Sequence, residues 1–247
     1  VLVSGGTQGV GGGIAHADVA DGATVVVTGR RPDVGEAFAA SLGPFASFVA
    51  CDVSDVEQAR AAVATTIERH GRVDSLVNAA GLTSRGTLLD TTPELFDQHV
   101  AVNLKGPFFL MQAVVADLVR RGSPGTIVNV LTMSSHGGQP YLAPYVAAKA
   151  GLAGLTRNAA HAHRWDRIRV NGINIGWTQT EGEDAVQREF HDADDSWLEA
   201  AGASQPMGRL GQVDDMAALA VLLLSDRSGV VTGSVIDWDQ HVVGGSD

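Results

Sequence analysis

At 247 residues with 45% apolar side chains, the chain is long enough to bury one large α/β core. Its formal net charge of -11 argues against a nucleic-acid or anionic-membrane surface, either of which needs a basic patch to neutralise phosphates. A single cysteine, Cys51, excludes an intrachain disulfide and a cysteine zinc cluster, so no metal and a reducing, cytoplasmic setting are expected.

In chain order, residues 1–4 form a β-branched, apolar first strand, and because Val1 already lies inside that pattern, leading residues are expected before it. Helical and β patterns then alternate: helix 10–21, strand 24–28, helix 33–42, strand 46–50, helix 56–70 and strand 73–78. The second half continues with helix 93–121, strand 126–131, helix 144–164, strand 168–174, helix 213–225 and strand 234–237. Thr92 and Pro93 supply the N-cap and first position of the longest helix. Several strands are apolar throughout rather than alternating, as parallel strands covered on both faces are. The implied fold is α/β: a single-domain, doubly wound, Rossmann-like parallel seven-stranded sheet with helices on both faces, spanning residues 1–247.

No apolar run reaches the roughly 18–20 residues that span a bilayer, and no basic segment precedes an apolar one at the start, so no membrane association is expected. Residues 176–207 interrupt the alternation with a long acidic stretch that carries Trp177, Phe190 and Trp197. A long insertion after a strand's carboxyl end is expected to form a substrate loop or lid.

The first strand runs into Ser4-Gly5-Gly6-Thr7-Gln8-Gly9-Val10-Gly11 and then directly into a helix. Glycines there let the backbone approach a pyrophosphate, whose charge the free N–H groups and the helix dipole stabilise. At the end of the second strand an acidic side chain would hold ribose hydroxyls and repel a 2′-phosphate. The sequence instead reads Thr28-Gly29-Arg30-Arg31, two cations suited to pair that phosphate, so NADP is favoured over NAD. The same arginines would also suit a solvated loop before Pro32.

Tyr145 and Lys149 stand four apart on a predicted helix and share one face. A neighbouring ammonium favours phenolate, so Lys149 is expected to lower the phenol's pKa and make Tyr145 a proton acceptor or donor for a substrate oxygen. The helix follows a hydroxyl-rich strand end, Leu131-Thr132-Met133-Ser134-Ser135.

The glycine spacing resembles the T-G-x-x-x-G-x-G turn of the short-chain dehydrogenases/reductases, with Ser4 in place of the first threonine, and Tyr145 with Lys149 resembles that family's Y-x-x-x-K pair. The chain resembles that family's sugar/polyol or cyclic-alcohol dehydrogenases and its 3-oxoacyl-reductase-like members. The resemblance implies hydride transfer between a nicotinamide cofactor and a secondary alcohol or ketone. It implies catalytic roles for Asn103, Thr132, Tyr145 and Lys149, with Thr132 standing where the family has serine. Cofactor contacts are implied for Gly5, Thr7, Gln8, Gly9, Val10, Gly11, Arg30, Arg31, Asp52, Val53, Asn78, Ala79, Gly81, Tyr145 and Lys149. Thr178 and Thr180 match positions that bind the carboxamide, although Ile175 replaces the usual proline ahead of them. Ser134, His136 and Trp177 are candidate substrate contacts, Ser134 by sharing a face with Thr132 if the strand continues. A small-molecule partner and a homo-oligomer, tetramer or dimer, complete the expectation. Thr132 and Ile175 leave one alternative open, a nicotinamide-binding sensor or regulatory subunit with degenerate catalysis.

Overall fold

The computed structural model describes residues 1–245. Its first half contains β1 (Leu2–Ser4), α1 (Gly9–Ala20), β2 (Val25–Gly29), α2 (Pro32–Leu42), β3 (Ala46–Ala50), α3 (Val56–His70), β4 (Ser75–Asn78), α4 (Pro93–Val100) and α5 (Gly106–Arg121). Then come β5 (Gly125–Thr132), α6 (Ala143–His163), β6 (Ile168–Ile175), β7 (Thr178–Gln179), α7 (Glu181–Phe190), α8 (Trp197–Ala203), β8 (Gly211–Gln212), α9 (Val213–Leu224) and β9 (Val235–Trp238). Every strand and helix expected from sequence is present, with ends shifted by one or two residues. Such ends depend on capping geometry, which patterns locate loosely.

Seven strands pair in parallel in the order β3-β2-β1-β4-β5-β6-β9. The central strands are apolar on both sides because neighbouring residues serve two cores. Leu76, Ile127 and Leu131 meet Leu110, Val114, Leu118 and Leu152 of α5 and α6. Val77, Val128 and Ile173 meet Ile14 of α1 and Met216 and Leu223 of α9. The chain runs outward from β1 to β3 and then returns to start again at β4. The connections that leave the paired carboxyl ends of β1 and β4 therefore diverge, leaving the crevice where open α/β sheets bind ligands.

Two details depart from the sequence reading. The helix expected over 93–121 is interrupted by a π-turn, Ala101–Lys105, between α4 and α5. The stretch Pro93–Arg121, at 29 residues, also has the length and apolar content to cross a membrane, although no uninterrupted apolar run reaches that length. Half of its most apolar window is buried, with Leu110, Val114 and Leu118 in the sheet's core, which makes it a core helix of the fold. The 176–207 segment folds into α7 and α8, and β7 pairs with β8 in a separate two-stranded ribbon at its base.

Candidate active site

The glycine turn sits at the divergence of β1 and β4. Gly5 takes φ +69°, and a Cβ there would lie 2.6 Å from the Ala80 backbone. A Cβ on Gly11 would lie 2.3 Å from the Gly5 carbonyl oxygen, so the turn closes on itself in a way that admits no side chain. Ala79 N donates to Ser4 O at 3.0 Å, locking the Asn78–Gly81 turn beside it. Gln8 is the N-cap of α1 but makes no side-chain cap bond, and the first turn holds no acid. The N–H groups of Gly9, Val10 and Gly11 thus face outward in a positive end field, the chemistry that takes a phosphate. Thr180 Cγ2 lies 3.9 Å from where a Gly9 Cβ would be, so the base of the 176–207 segment closes over this turn.

At the end of β2, Gly29 packs against the Thr7 side chain, which would lie 3.1 Å from a Cβ there. Arg31 Nη2 donates to Gln8 Oε1 at 2.7 Å, which brings one of the two arginines to the glycine turn, while Arg30 is exposed. Asp52 is occupied locally, its carboxylate accepting from Ser54 N and Ser54 Oγ at 2.9 and 2.7 Å. Val53 is buried in the core against α5. Asn78 Nδ2 donates to Asn129 Oδ1 at 2.8 Å, and Asn129 continues to Thr156 Oγ1 at 2.9 Å. Asn78 Oδ1 and Thr28 Oγ1 are buried and lack partners among the described residues. The uncapped helix end, the glycine cradle and these orphaned oxygens at the strand ends fit a dinucleotide.

Thr132 is the last residue of β5, in register with Ile175, and Tyr145 and Lys149 face it from α6. All three are buried. Lys149 Nζ donates to Val130 O at 2.7 Å and stands 5.9 Å from the Tyr145 ring centre. Burial pushes the Tyr145 phenol up to about 12, against a smaller lowering from its contact with Thr132; Glu183 raises it further and Arg85 lowers it. Burial likewise brings Lys149 down to about 8. The sequence reading expected the ammonium to pull the phenol down; in the folded chain desolvation sets the direction, and the opposing influences come from Thr132 and Arg85.

Ser134 reaches Thr132 by a different route from the one expected. The strand ends at Thr132 and a 3-10 turn, Met133–His136, follows, so face alternation does not apply. The turn itself closes the gap: Ser134 N donates to Thr132 Oγ1 at 3.2 Å, Thr132 Oγ1 donates to Ser134 Oγ at 3.2 Å, and Ser134 Oγ passes on to Gln139 Oε1. His136 is turned toward the sheet edge. Its Nε2 lies 2.9 Å from Asp237 Oδ1 and 3.1 Å from Asn174 Nδ2. Desolvation raises the Asp237 carboxyl, but its bonds with His136 and Asn174 outweigh that and hold it below the usual range. His136 is thus engaged by β6 and β9 rather than by Thr132.

Asn103 occupies the π-turn and is fully buried. Its Oδ1 accepts from Leu82 N and its Nδ2 donates to Leu82 O, both at 3.0 Å, and His99 Nδ1 lies 3.2 Å away. The wider π-turn turns one polar side chain inward to grip the loop after β4. His99 stands edge-on to Tyr145 at 6.2 Å, a contact the sequence hinted at only through its i, i+4 spacing from Asn103. Trp177 is half-exposed and donates to Glu183 Oε1 at 2.7 Å, while Thr178 Oγ1 donates to Gly176 O at 3.0 Å. Sequence reasoning missed Arg85 and Gln139, which reach the site from loops that carry no periodic signal, and the site contact of Glu183, which comes from the first turn of α7.

A protein-family model described as enoyl-(acyl carrier protein) reductase matches residues 5–241. Sorbitol dehydrogenase of Cereibacter sphaeroides is 30% identical over 242 residues, covering 96% of this chain and 94% of that protein. A 2,5-dichloro-2,5-cyclohexadiene-1,4-diol dehydrogenase of Sphingobium indicum is 34% identical over 241 residues, covering 97% and 94%. A solved structure of an actinorhodin polyketide ketoreductase with NADPH superposes with a TM-score of 0.92 at 29% identity, covering 97% of this chain and 95% of that one.

Proposed function

The chain belongs to the short-chain dehydrogenase/reductase family, and we propose that Tyr145, Lys149, Thr132 and Asn103 carry its chemistry. It is an NAD(P)-dependent oxidoreductase that acts on CH–OH groups, moving a hydride between a nicotinamide cofactor and a secondary alcohol or ketone. The observation that carries the assignment of roles is the buried meeting of Tyr145 with Thr132 and Lys149.

Gly5, Thr7, Gln8, Gly9, Val10 and Gly11 would hold the pyrophosphate, Asp52, Val53, Asn78, Ala79 and Gly81 would shape the adenosine side, and Thr178 and Thr180 would hold the carboxamide. The bound nicotinamide supplies or accepts the hydride. Tyr145 Oη gives a proton to the carbonyl oxygen in reduction and takes one from the hydroxyl in oxidation. A phenol held near 12 is the donor form at neutral pH, so reduction needs no prior ionisation. The Lys149 ammonium stabilises the phenolate that this transfer leaves. Thr132 Oγ1 exchanges its bond to Ser134 for one to the substrate oxygen, and Ser134 keeps Gln139. Asn103 positions the loop after β4 over the site.

Arg30 and Arg31 favour NADP, a reading supported by the NADPH in the ketoreductase structure. The diol and polyol relatives support a sugar, polyol or cyclic alcohol as substrate, with α7 and α8 as the lid and Trp177 and Ser134 at its inner side. A reducing, cytoplasmic setting and a homotetramer or dimer complete the proposal, with the exposed Phe96, Phe108 and Val119 of α4 and α5 as its contact face. The sensor reading draws no support from relatives that bear enzyme names.

The test is purified protein with NADP⁺ or NAD⁺ and a panel of polyols, sugars, cyclic alcohols and hydroxy acids, followed by reduced-nicotinamide absorbance. Tyr145→Phe is expected to lower turnover about 10²- to 10⁴-fold while cofactor affinity holds. An unchanged rate removes Tyr145 from its role, and tight cofactor binding without turnover anywhere on the panel favours the sensor.

A further inference from the structure

The loop after β4 is anchored at three points. Asn103 grips Leu82, His99 Nε2 donates to Ser84 O at 3.1 Å, and Gly86 exchanges bonds with Tyr141 and Ala143 at 2.9 and 3.0 Å. Arg85, between the last two anchors, is thereby delivered next to Tyr141, four residues before Tyr145, and its charge acts on the Tyr145 phenol.

The guanidinium lies against two aromatic rings. Its carbon is 5.1 Å from the Tyr141 ring centre and 5.6 Å from that of Phe190 on α7, cation–π contacts that leave its N–H edges to take hydrogen-bond partners. Nη1 donates to Thr83 O at 3.2 Å, and Nη2 stands 3.3 Å from His191 Nε2. Nε is buried with no partner among the described residues. A donor on a permanent cation is costly to leave unmet. Glu183, the lid acid whose field also reaches Tyr145, accepts from Trp177 and Gln187 on Oε1 at 2.7 and 2.8 Å and forms no ion pair with Arg85 among the described residues. The parallel N–H groups of Nε and Nη2 form the fork that matches a carboxylate.

We propose that Arg85 is the anion receptor of this site, taking a carboxylate on the same molecule whose hydroxyl or carbonyl oxygen meets Tyr145. The inference rests on the oxidoreductase reading and narrows its substrates to hydroxy acids and oxo acids, polyhydroxylated acids included. The Tyr141 and Phe190 rings orient the fork, and His191 withdraws with the end of α7 when the carboxylate enters, uncovering Nε and freeing Nη2.

The experiment measures binding to the NADP⁺ complex by tryptophan fluorescence, since Trp177 and Trp197 both lie on the lid. The probes are 3-hydroxybutanoate, 4-hydroxypentanoate and 5-hydroxyhexanoate, each against its neutral amide. For at least one spacing the carboxylate is expected to bind about 10- to 100-fold more tightly than the amide. That ratio should fall toward one in Arg85→Met and to an intermediate value in Arg85→Lys, which keeps the charge without the fork; NADPH affinity on the same samples reports that each variant is folded. A ratio near one in the parent, no binding of any carboxylate, or a ratio that survives in Arg85→Met overturns the proposal. Equal weakening of acids and amides in Arg85→Met also overturns it, since Arg85 would then only latch the lid. Failure of the oxidoreductase reading looks different: the ratio stays intact while neither acids nor amides change reduced-nicotinamide absorbance.

Discussion

Lys149→Met is expected to make the folded chain more stable at neutral pH while abolishing turnover. Burial brings the Lys149 pKa from its ordinary 10.5 down to about 8. Between those values the unfolded chain binds a proton that the folded chain has lost, so stability rises as pH increases through this window. Below pH 8 the folded chain must carry a desolvated ammonium, at a cost of roughly 3 kcal/mol. Methionine removes that cost but leaves Val130 O, which accepts from Lys149 Nζ at 2.7 Å, without its partner, a loss of about 1 kcal/mol. The net gain at pH 7 is about 2 kcal/mol, or roughly 5 °C in Tm for a chain of this size. By pH 9 the ammonium penalty falls to about 2 kcal/mol and the variant's advantage to about 1 kcal/mol. Urea denaturation of parent and variant at pH 7, 8 and 9 reads this directly. A variant less stable than the parent at pH 7, or a difference that does not shrink by pH 9, refutes the desolvation argument.

Gly11→Ala places a methyl 2.3 Å from the Gly5 carbonyl oxygen, so the phosphate-binding turn must open; NADPH affinity by fluorescence titration is expected to fall about 100-fold, and near-parent affinity would show that the cradle tolerates a side chain. Replacing Arg30 and Arg31 together by alanine should raise KM for NADP about 10- to 100-fold and leave KM for NAD within about 2-fold, whereas a parallel rise for both cofactors would place the arginines outside the 2′-phosphate site. Thr132→Ser keeps the hydroxyl and should hold kcat/KM within about 3-fold, while Thr132→Ala should lower it about 10²-fold. If the alanine variant matches the parent, the substrate oxygen is held elsewhere, with Ser134 the first candidate because its Oγ lies 3.2 Å from that of Thr132.

Much of the site was legible because its signals are local. Glycines at 5, 9 and 11 directly after a strand state where a backbone must come close to something charged. The four-residue spacing of Tyr145 and Lys149 states that both project from one helix face. Neither statement needs a neighbour from another part of the chain. Ser134 shows the limit of such arguments: face alternation correctly paired it with Thr132, but the strand had ended, and a 3-10 turn made the contact instead. His136 shows it again, since a polar residue beside the hydroxyl cluster is claimed by Asp237, 101 positions away.

The sequence by itself determined the alternation of strands and helices, the glycine turn after β1 and the one-face placement of Tyr145 and Lys149, since each is set by a repeat or spacing within about twenty residues. Only the tertiary structure decided the ionisation of that pair, because desolvation depends on what covers Tyr145 and Lys149 rather than on their separation along the helix. It also decided that Asn103 turns inward through a π-turn, and that Arg85 meets His191, 106 residues distant, with one donor left unpaired. Such contacts arise where loops converge over the sheet's carboxyl edge, and no local pattern records which loops those will be.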